Sequence, residues 1–269
     1  MMQMKSFEVC SSFLKPYVKP YFVLEFSGED ERLSGEMKVP PVGYPVLQFH
    51  FGRKVNFYRH RHLTCQSVFI GQVNRHVILY PSSGVRILGV NFRPYGLYNL
   101  LGISPRHFLN SGVESDTFFG SLSVERITTI LSTQGIEAGI HAIEELLLHH
   151  QNRNIQTHPY FDAIVDRLEQ ENGLVDYAEL LGRQVSRRTF QRYFREVIGL
   201  SPKMFCQVLR HKYIMELLYK NPEMSWSDVA LNGFYYDFSH FTKDFSHFSG
   251  LTPKRYLPIK NSFASALLD

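Results

Sequence analysis

The C-terminal part of the sequence contains an internal repeat. Six residues recur fifty-one positions further along: Phe190, Phe194, Gly199, Leu200, Pro202 and Lys203 correspond to Phe241, Phe245, Gly250, Leu251, Pro253 and Lys254. At the same offset Ser201 corresponds to Thr252, and Arg192 to Lys243. That many matches in one register are improbable by chance, so the sequence predicts two copies of one structural unit.

Each copy has the pattern of a short helix, a turn and a second helix. The phenylalanines of the second helix are four residues apart and predict its buried face. Ser186 is the predicted N-cap of this helix, and Ser201 followed by Pro202 predicts the start of a long helix that connects the copies. In the second copy, Ser225 with Asp228 is typical of a capping box. The sequence thus predicts two helix-turn-helix units joined by a helix of about eighteen residues, roughly 27 Å at 1.5 Å per residue.

The residues between the phenylalanines are predicted to face outward, and in the first copy they are basic. The stretch SRRTFQRYFREVIGLSPK has five cations and a single acid, Glu196. A solvated helix normally mixes the two signs, so this face either binds something acidic or is merely basic. Because the net charge of the whole chain is only +4, the signal is a local one.

The outward residue types of both copies suit the edges of DNA bases. Arginine can bond to guanine and glutamine to adenine, while an apolar side chain or a threonine methyl packs against the methyl of thymine. The duplicated arrangement makes this a strong prediction of DNA binding. The predicted DNA-binding residues are Arg187, Arg188, Gln191, Arg192, Arg195, Lys203, Phe238, Ser239, Thr242, Lys243 and Lys254. Phosphate contacts are expected from Arg183, Arg187, Arg195, Lys203, Lys212 and Lys254.

The region from about His158 to Leu257 resembles the DNA-binding domain of AraC/XylS-type transcription regulators. The resemblance rests on the stretch quoted above, on Arg210 followed by Leu217-Leu218, and on DVALNGFYYDFSHFTKDFSHFSGLTPKRY. It implies seven helices, with the two reading helices in successive major-groove segments on one face of the duplex. By position it assigns base reading to Arg188, Gln191 and Arg192 in the first unit and to Phe238, Ser239, Thr242 and Lys243 in the second.

Some positions depart from the family pattern. Leu180 stands where the family usually has a small alanine at the contact between the helices. In the second unit Gly233 comes one place early, so that Phe234 occupies the usual glycine position. Phe238 replaces a polar residue and is as consistent with burial as with a base contact. The fold tolerates these changes, but the base preference of the second unit does not follow from the sequence.

The first 118 residues are predicted to be β-rich. Short apolar or alternating runs such as YFVLEF, VLQFHFG and RILGVNF are separated by Gly, Pro, Ser and Asn, which favours a sandwich or barrel. The segments PPVGYPVLQFHFG and LGVNFRPYGLYNLLGI resemble the sensor region of a subset of AraC-type regulators. This resemblance implies a cupin-like double-stranded β-helix, and the mouth of such a barrel is a usual place for a small ligand.

Residues 119–155 have helical spacing and are predicted to form a linker of two helices. Ser123 is the predicted cap of the first helix, and Gly135 separates the two. Their apolar stripe, from Ile127 to Leu147, either packs against the rest of the chain or forms a symmetric dimer contact. The predicted fold class is therefore multidomain with α and β structure: a β-barrel over residues 1–118, this linker, and an all-α domain with two helix-turn-helix units over residues 156–260.

The alternatives concern the β region. The candidates for a metal site are four of its histidines: His50, His60, His62 and His76. No carboxylate lies in a supporting pattern, and Arg59 and Arg61 flank His60, which disfavours a metal. A cupin-type metal enzyme with an accessory DNA-binding domain would need three or four converging ligands, and it stays the alternative function. A barrel without a cavity that binds another protein is a third reading.

Cysteine usage and hydropathy indicate the compartment. Cys10, Cys65 and Cys206 lie far apart without a paired motif, which indicates free thiols in a reducing environment. No signal-peptide pattern is present, and no apolar run approaches the ~20 residues of a membrane span. The sequence therefore predicts a cytoplasmic protein without a membrane partner.

Together these patterns predict a sequence-specific DNA-binding transcription regulator that responds to a small effector in the N-terminal barrel. No catalytic residue, metal or cofactor is predicted, so the chain is not expected to be an enzyme. The predicted partners are double-stranded DNA and the effector. The resemblance adds a homodimer and RNA polymerase as further partners.

Overall fold

The computed structural model describes residues 2–26, 37–52, 56–57, 66–80, 84–182 and 185–256. Within these ranges the N-terminal part is built mainly from β-strands. The strands are β1 Met2–Phe7, β2 Tyr21–Phe26, β3 Met37–Val39, β4 Val46–His50, β5 Asn56–Phe57, β6 Ser67–Ile70, β7 Val77–Tyr80, β8 Arg86–Asn91 and β9 Gly112–Glu114. The predicted β-rich N-terminal region is therefore confirmed.

The strands form two antiparallel sheets. The larger has six strands in the order β1-β2-β8-β4-β6-β9, and the smaller has the order β3-β7-β5. In the larger sheet Phe22 lies opposite Gly89. A Cβ on Gly89 would lie 2.0 Å from the Phe22 ring, so only glycine leaves room for that ring.

Side-chain alternation gives the larger sheet two buried faces. On one face Phe22, Leu24 and Phe26 pack with Ile87 and with Val39 of the smaller sheet. The opposite face packs against helices and forms the main N-terminal core. A polar group that points between the sheets is therefore enclosed by apolar side chains.

Helices dominate the chain after the last strand. They are α1 Gly96–Leu101, α2 Asp116–Phe119, α3 Ser121–Thr133, α4 Ile136–His149, α5 Pro159–Gln170, α6 Tyr177–Leu180, α7 Arg187–Val197, α8 Pro202–Lys220, α9 Trp226–Asn232, α10 Phe238–Ser249 and α11 Pro253–Tyr256, with a 3₁₀ turn at Pro105–Phe108. From α5 to α11 the described residues form seven helices, the number that the family resemblance implied. No helix in the described ranges is long and apolar enough to cross a membrane.

The linker helices α3 and α4 lie against the larger sheet. The members of their apolar stripe that are buried in the N-terminal core are Ile127, Leu131, Ile140, Ile143 and Leu147. These five residues therefore pack within the chain, which is one of the two alternatives for the stripe, and the dimer contact stays a prediction. The expected cap at Ser123 is wrong: α3 begins at Ser121, because the backbone already turns at Gly120, where φ is 79°.

The helix starts of the DNA-binding region follow the predicted capping chemistry. The hydroxyl oxygens of Ser186, Ser201 and Ser225 each accept a hydrogen bond from a backbone N–H three residues later. The connecting helix α8 has 19 residues, close to its expected length. The short first helix of the first unit, α6, has four residues.

An acidic row on α5 joins the N-terminal part to the DNA-binding region. Three acids share one face of this helix because of their spacing, and all contact N-terminal residues: Asp162, Asp166 and Glu169. Asn99 donates to Asp162 at 2.8 Å, Tyr95 to Asp166 at 3.0 Å, and Lys19 pairs with Glu169 at 2.7 Å. The opposite, apolar face of α5 is buried with α7 and α8 in the C-terminal core.

Candidate nucleic-acid interface

The first reading helix, α7, has one aromatic face and one cationic face. Phe190 and Phe194 are fully buried. The cations on the opposite side are all exposed: Arg187, Arg188, Arg192 and Arg195. The arrangement therefore matches the orientation that the spacing of the phenylalanines predicts.

The cations of α7 are not neutralised by acids within the described ranges. Ion pairs there join other residues, and none includes the four exposed arginines of α7. The one acid of the helix, Glu196, faces Arg106 of the 3₁₀ turn at 3.7 Å instead. Because opposite charges are absent from this face, its positive potential is available to an acidic ligand.

Gln191 is held in place by a residue that the sequence reasoning missed. Its amide nitrogen donates to the hydroxyl of Tyr177 at 3.2 Å, and the Tyr177 ring stacks on Phe190 at 5.9 Å. Gln191 is thus half-buried and has a fixed direction. No local pattern marks Tyr177, because the contact joins two helices across a turn.

The second reading helix, α10, repeats the plan with fewer charges. Phe241 and Phe245 are buried as in the first unit. Ser239 and Lys243 are exposed and Thr242 is half-buried. Phe238, for which burial and base contact were both open, is 50% exposed while its ring stays 5.5 Å from that of Phe241.

Two lysines of the predicted set begin helices beside the reading helices. Lys203 in the first turn of α8 and Lys254 in α11 are both exposed, at equivalent places in the two copies. Lys212 is different, since it is half-buried and lies 3.7 Å from Glu216. Burial lowers the pKa of Lys212, and we no longer expect a phosphate contact there. Arg183 lies outside the described residues.

The turn of the second unit contains a strained residue. Phe234 has φ of 54°, in the left-handed region, whereas the preceding Gly233 has φ of −79°. The displaced glycine noted in the sequence therefore forces a phenylalanine into the conformation that glycine adopts most easily. Tyr235 then turns inward and packs at 5.4 Å from Phe241.

Phe234→Gly should stabilise the protein by about 1 kcal/mol, because the left-handed conformation is costly for a residue with a Cβ. The Phe234 ring is 71% exposed, so little packing is lost. The free energy of unfolding from urea titration measures the effect. Phe234→Ala is the matched control, since it removes the ring but keeps the Cβ; an equal gain in both variants would mean that backbone strain is not the cause.

The predicted metal candidates do not come together in the described part of the chain. His50 is buried on β4, while His76 lies beside α10. His60 and His62 lie outside the described residues. Among the residues that are described, no group of three His, Cys, Asp or Glu side chains could hold a metal ion.

Two known domain families match separate parts of the chain. Residues 182–258, from the end of the first turn to α11, match a helix-turn-helix domain, and this part is an AraC-type helix-turn-helix domain. Residues 10–114, which contain most of both sheets, match a domain of unknown function (DUF6597). No curated protein sequence matches the chain.

Among solved structures the chain is similar to ToxT from Vibrio cholerae. One ToxT structure has 9% identity and a TM-score of 0.48, covering 97% of this chain and 99% of ToxT. ToxT bound to (E)-4-(8-methylnaphthalen-1-yl)but-3-enoic acid has 10% identity and a TM-score of 0.45, covering 100% and 99%. ToxT bound to an unsaturated fatty acid has 11% identity and a TM-score of 0.41, covering 96% and 94%.

Proposed function

We propose that the chain is a sequence-specific DNA-binding transcription regulator, with α7 and α10 reading two successive major-groove segments. The observation that supports this most strongly is the row of exposed arginines on α7, none of which pairs with an acid in the described part of the chain. Such a row on an isolated helix is a weak signal, but here it lies on the second helix of a duplicated helix-turn-helix unit. A basic face with the reading geometry suits the phosphate backbone and the base edges together.

The side chains of the first unit divide into two roles. Arg192, one turn into α7 and exposed, reaches a guanine edge, and Arg188 lies beside it on the same face. Gln191, directed by Tyr177, suits adenine. Arg187, Arg195 and also Lys203 bind phosphates and fix the register of the unit on the duplex.

The second unit reads more by apolar contact than by hydrogen bonds. Phe238 and the methyl of Thr242 suit the methyl of thymine, Ser239 adapts to more than one base, and Lys243 supplies a cation. Lys254 binds phosphate. Since one aromatic and one small polar side chain discriminate less than an arginine fork, the second segment should tolerate more sequence variation than the first.

A small effector is the second part of the proposal, and its place is between the two sheets. Gln48 on β4 shares the face of Val46, which packs with the apolar side chains there. Its amide oxygen is buried and makes no hydrogen bond to any described residue. This favours an apolar ligand with one hydrogen-bond donor, bound without turnover. A ligand that stabilises the wild type and Gln48→Leu equally in a melting assay would not occupy this site.

Non-enzymatic action and the remaining partners are also part of the proposal. A cupin-type metal enzyme would hold stoichiometric iron, zinc or manganese, so a metal assay on the purified protein decides against one of the two functions. RNA polymerase and a second copy of the chain are supported by the family resemblance. The outer face of α3, where Leu122 is exposed, offers a second copy one apolar contact, while most of the inner stripe is buried.

Selection of bound sequences from a random duplex pool tests the function and gives the operator. On that operator, Arg192→Ala should lose about 1–3 kcal/mol of affinity and relax the preference at one base pair, because a bidentate guanine contact is removed. Lys254→Ala should instead weaken all sequences equally. Binding of both variants to every single-base change of the operator is the measurement. If Arg192→Ala weakened every duplex by one common factor, Arg192 would not be a base-reading residue.

A further inference from the structure

The N-terminal region contacts the end of the first reading helix. The hydroxyl of Ser104 donates a hydrogen bond of 2.6 Å to the carbonyl oxygen of Glu196, in the last turn of α7. Directly after it, Pro105 packs on Gly199, where an added Cβ would lie 3.1 Å from the Cβ of the proline. We call Ser104 and Pro105 the first anchor.

The N-terminal region also contacts the end of the second reading helix. Nδ1 of His76 lies 3.4 Å from the carbonyl oxygen of His247, and Lys38 donates to the carbonyl oxygen of Gly250 at 2.8 Å. The His76 ring covers Gly250, where an added Cβ would lie 2.7 Å from the ring atoms. Because a carbonyl oxygen can only accept, Nδ1 of His76 is the donor in this contact. Burial lowers the pKa of His76. We call Lys38 and His76 the second anchor.

The two anchors contact equivalent positions of the repeat. Glu196 and His247 are fifty-one residues apart, and so are Gly199 and Gly250. In each copy a donor from the N-terminal region therefore meets the same carbonyl, and a ring covers the same glycine. Carbonyls in the last turn of a helix lack partners within the helix and carry the negative end of its dipole, so a donor there stabilises the contact.

The anchors provide a second connection between the two reading helices. The first connection is α8, which packs against α10 through the ring of His211, 5.5 Å from Phe245. A single connecting helix still lets the units twist and bend relative to each other. A second connection at the C-terminal ends of both reading helices removes that freedom, since the path through α7, the N-terminal region, α10 and α8 is closed.

We propose that the N-terminal region is a positioning element that sets the distance and rotation between the two reading helices, and thereby the spacing of the two DNA segments that the protein accepts. The proposal rests on the proposed function as a DNA-binding regulator. Ser104, Lys38 and His76 are its positioning residues, and none of them belongs to the DNA-contacting set. Lys38 lies on β3, in the sheet that covers the proposed effector site, so an effector would act on the spacing through the second anchor.

Operators with one base pair added or removed between the two segments provide the test. One base pair changes the rotation by about a tenth of a turn, so the wild type should lose about tenfold or more in affinity on each altered operator. The anchor variants are Ser104→Ala, Lys38→Met and His76→Ala. Each should bind the selected operator with an affinity within about threefold of the wild type. On the altered operators each variant should lose much less affinity than the wild type loses. The matched controls change exposed residues away from the anchors: Ser121→Ala, Lys5→Met and His141→Ala.

A measurement without DNA separates this inference from the proposed function. Spin labels on Arg195→Cys and Lys243→Cys, with Cys10 and Cys65 changed to serine, report the distance between the reading helices. The distribution should be narrow in the wild type and broader in each anchor variant, with the Trp226 fluorescence unfolding midpoint showing that the variants are folded. Unchanged distributions, or an unchanged spacing preference in variants that bind DNA, would overturn the positioning role. Failure of the wild type to bind any duplex would instead remove the proposed function.

Discussion

Raising the salt concentration from 50 to 200 mM should weaken binding to the operator about five-hundredfold, because about five phosphates are contacted. The physical reason is counterion release: each neutralised phosphate frees a cation, and the log-log slope for five contacts is about −4.5. Four of the cations that supply these contacts are exposed: Arg187, Arg195, Lys203 and Lys254. The fifth, Arg183, is expected from the sequence. Fluorescence anisotropy with a labelled operator over a salt series measures the slope.

The same experiment has a control within the chain. Arg195→Gln should make the slope shallower by about one, because one phosphate contact is lost. Arg126→Gln removes an equally exposed arginine from α3, far from the reading helices in the sequence, and should leave the slope unchanged. Affinity that stays flat between low and physiological salt would rule out a DNA role for this face.

Acid should destabilise the second unit through a single buried histidine. His211 on α8 is 1% exposed, and neither of its ring nitrogens has a hydrogen-bond partner among the described residues. Burial, followed by the nearby His247, lowers the pKa of His211 to about 3. In the unfolded chain the pKa of this histidine is near 6.5. Between about pH 3 and pH 6.5 the unfolded chain therefore binds more protons than the folded chain, and the free energy of unfolding falls as the pH falls through this range.

Lowering the pH from 7 to 4.5 should cost roughly 3 kcal/mol through this group, since two pKa units separate pH 4.5 from the unfolded value. His211→Phe fits between the rings of Phe245 and Phe248 and should abolish this part of the loss. Trp226, the only tryptophan, lies 5.1 Å from Phe245 and reports urea unfolding of this unit. His141→Gln, exposed on α4, is the control. An equal loss in the wild type and in His211→Phe would assign the acid sensitivity to other groups.

Local features of the fold were predictable because their causes are local. The serine caps, the length of α8 and the burial of the repeated phenylalanines follow from backbone geometry and helical spacing, which neighbouring residues determine. The strained turn was also visible, since a glycine one place early leaves Phe234 at the left-handed position. The wrong start of α3 shows the limit of the same reasoning: Gly120 begins the helix without a side-chain cap, so no residue pattern marks it.

The residue types of the candidate site were predictable from the sequence, but the contacts that hold these side chains in place were not. An exposed arginine face can be inferred from the phenylalanines opposite it. The hydrogen bond from Gln191 to Tyr177 and the contact of Arg106 with Glu196 depend on how separate segments pack. Lys212 pairs with Glu216 one turn further along the same helix, and its half-burial removed one residue from the expected phosphate contacts.

The acidic row on α5 limits how this protein could be recombined with others. One face of α5 is part of the C-terminal core, while Asp162, Asp166 and Glu169 on another face bond to Asn99, Tyr95 and Lys19. A chimera that joins a foreign sensor at residue 156 would keep these three acids but lose these partners. Asp166 and Glu169 would then be half-buried without their donors, and Asp162 would keep only its hydrogen bond from Tyr193. The two regions are therefore not interchangeable modules, and a working graft would have to carry Lys19, Tyr95 and Asn99 along with the foreign sequence.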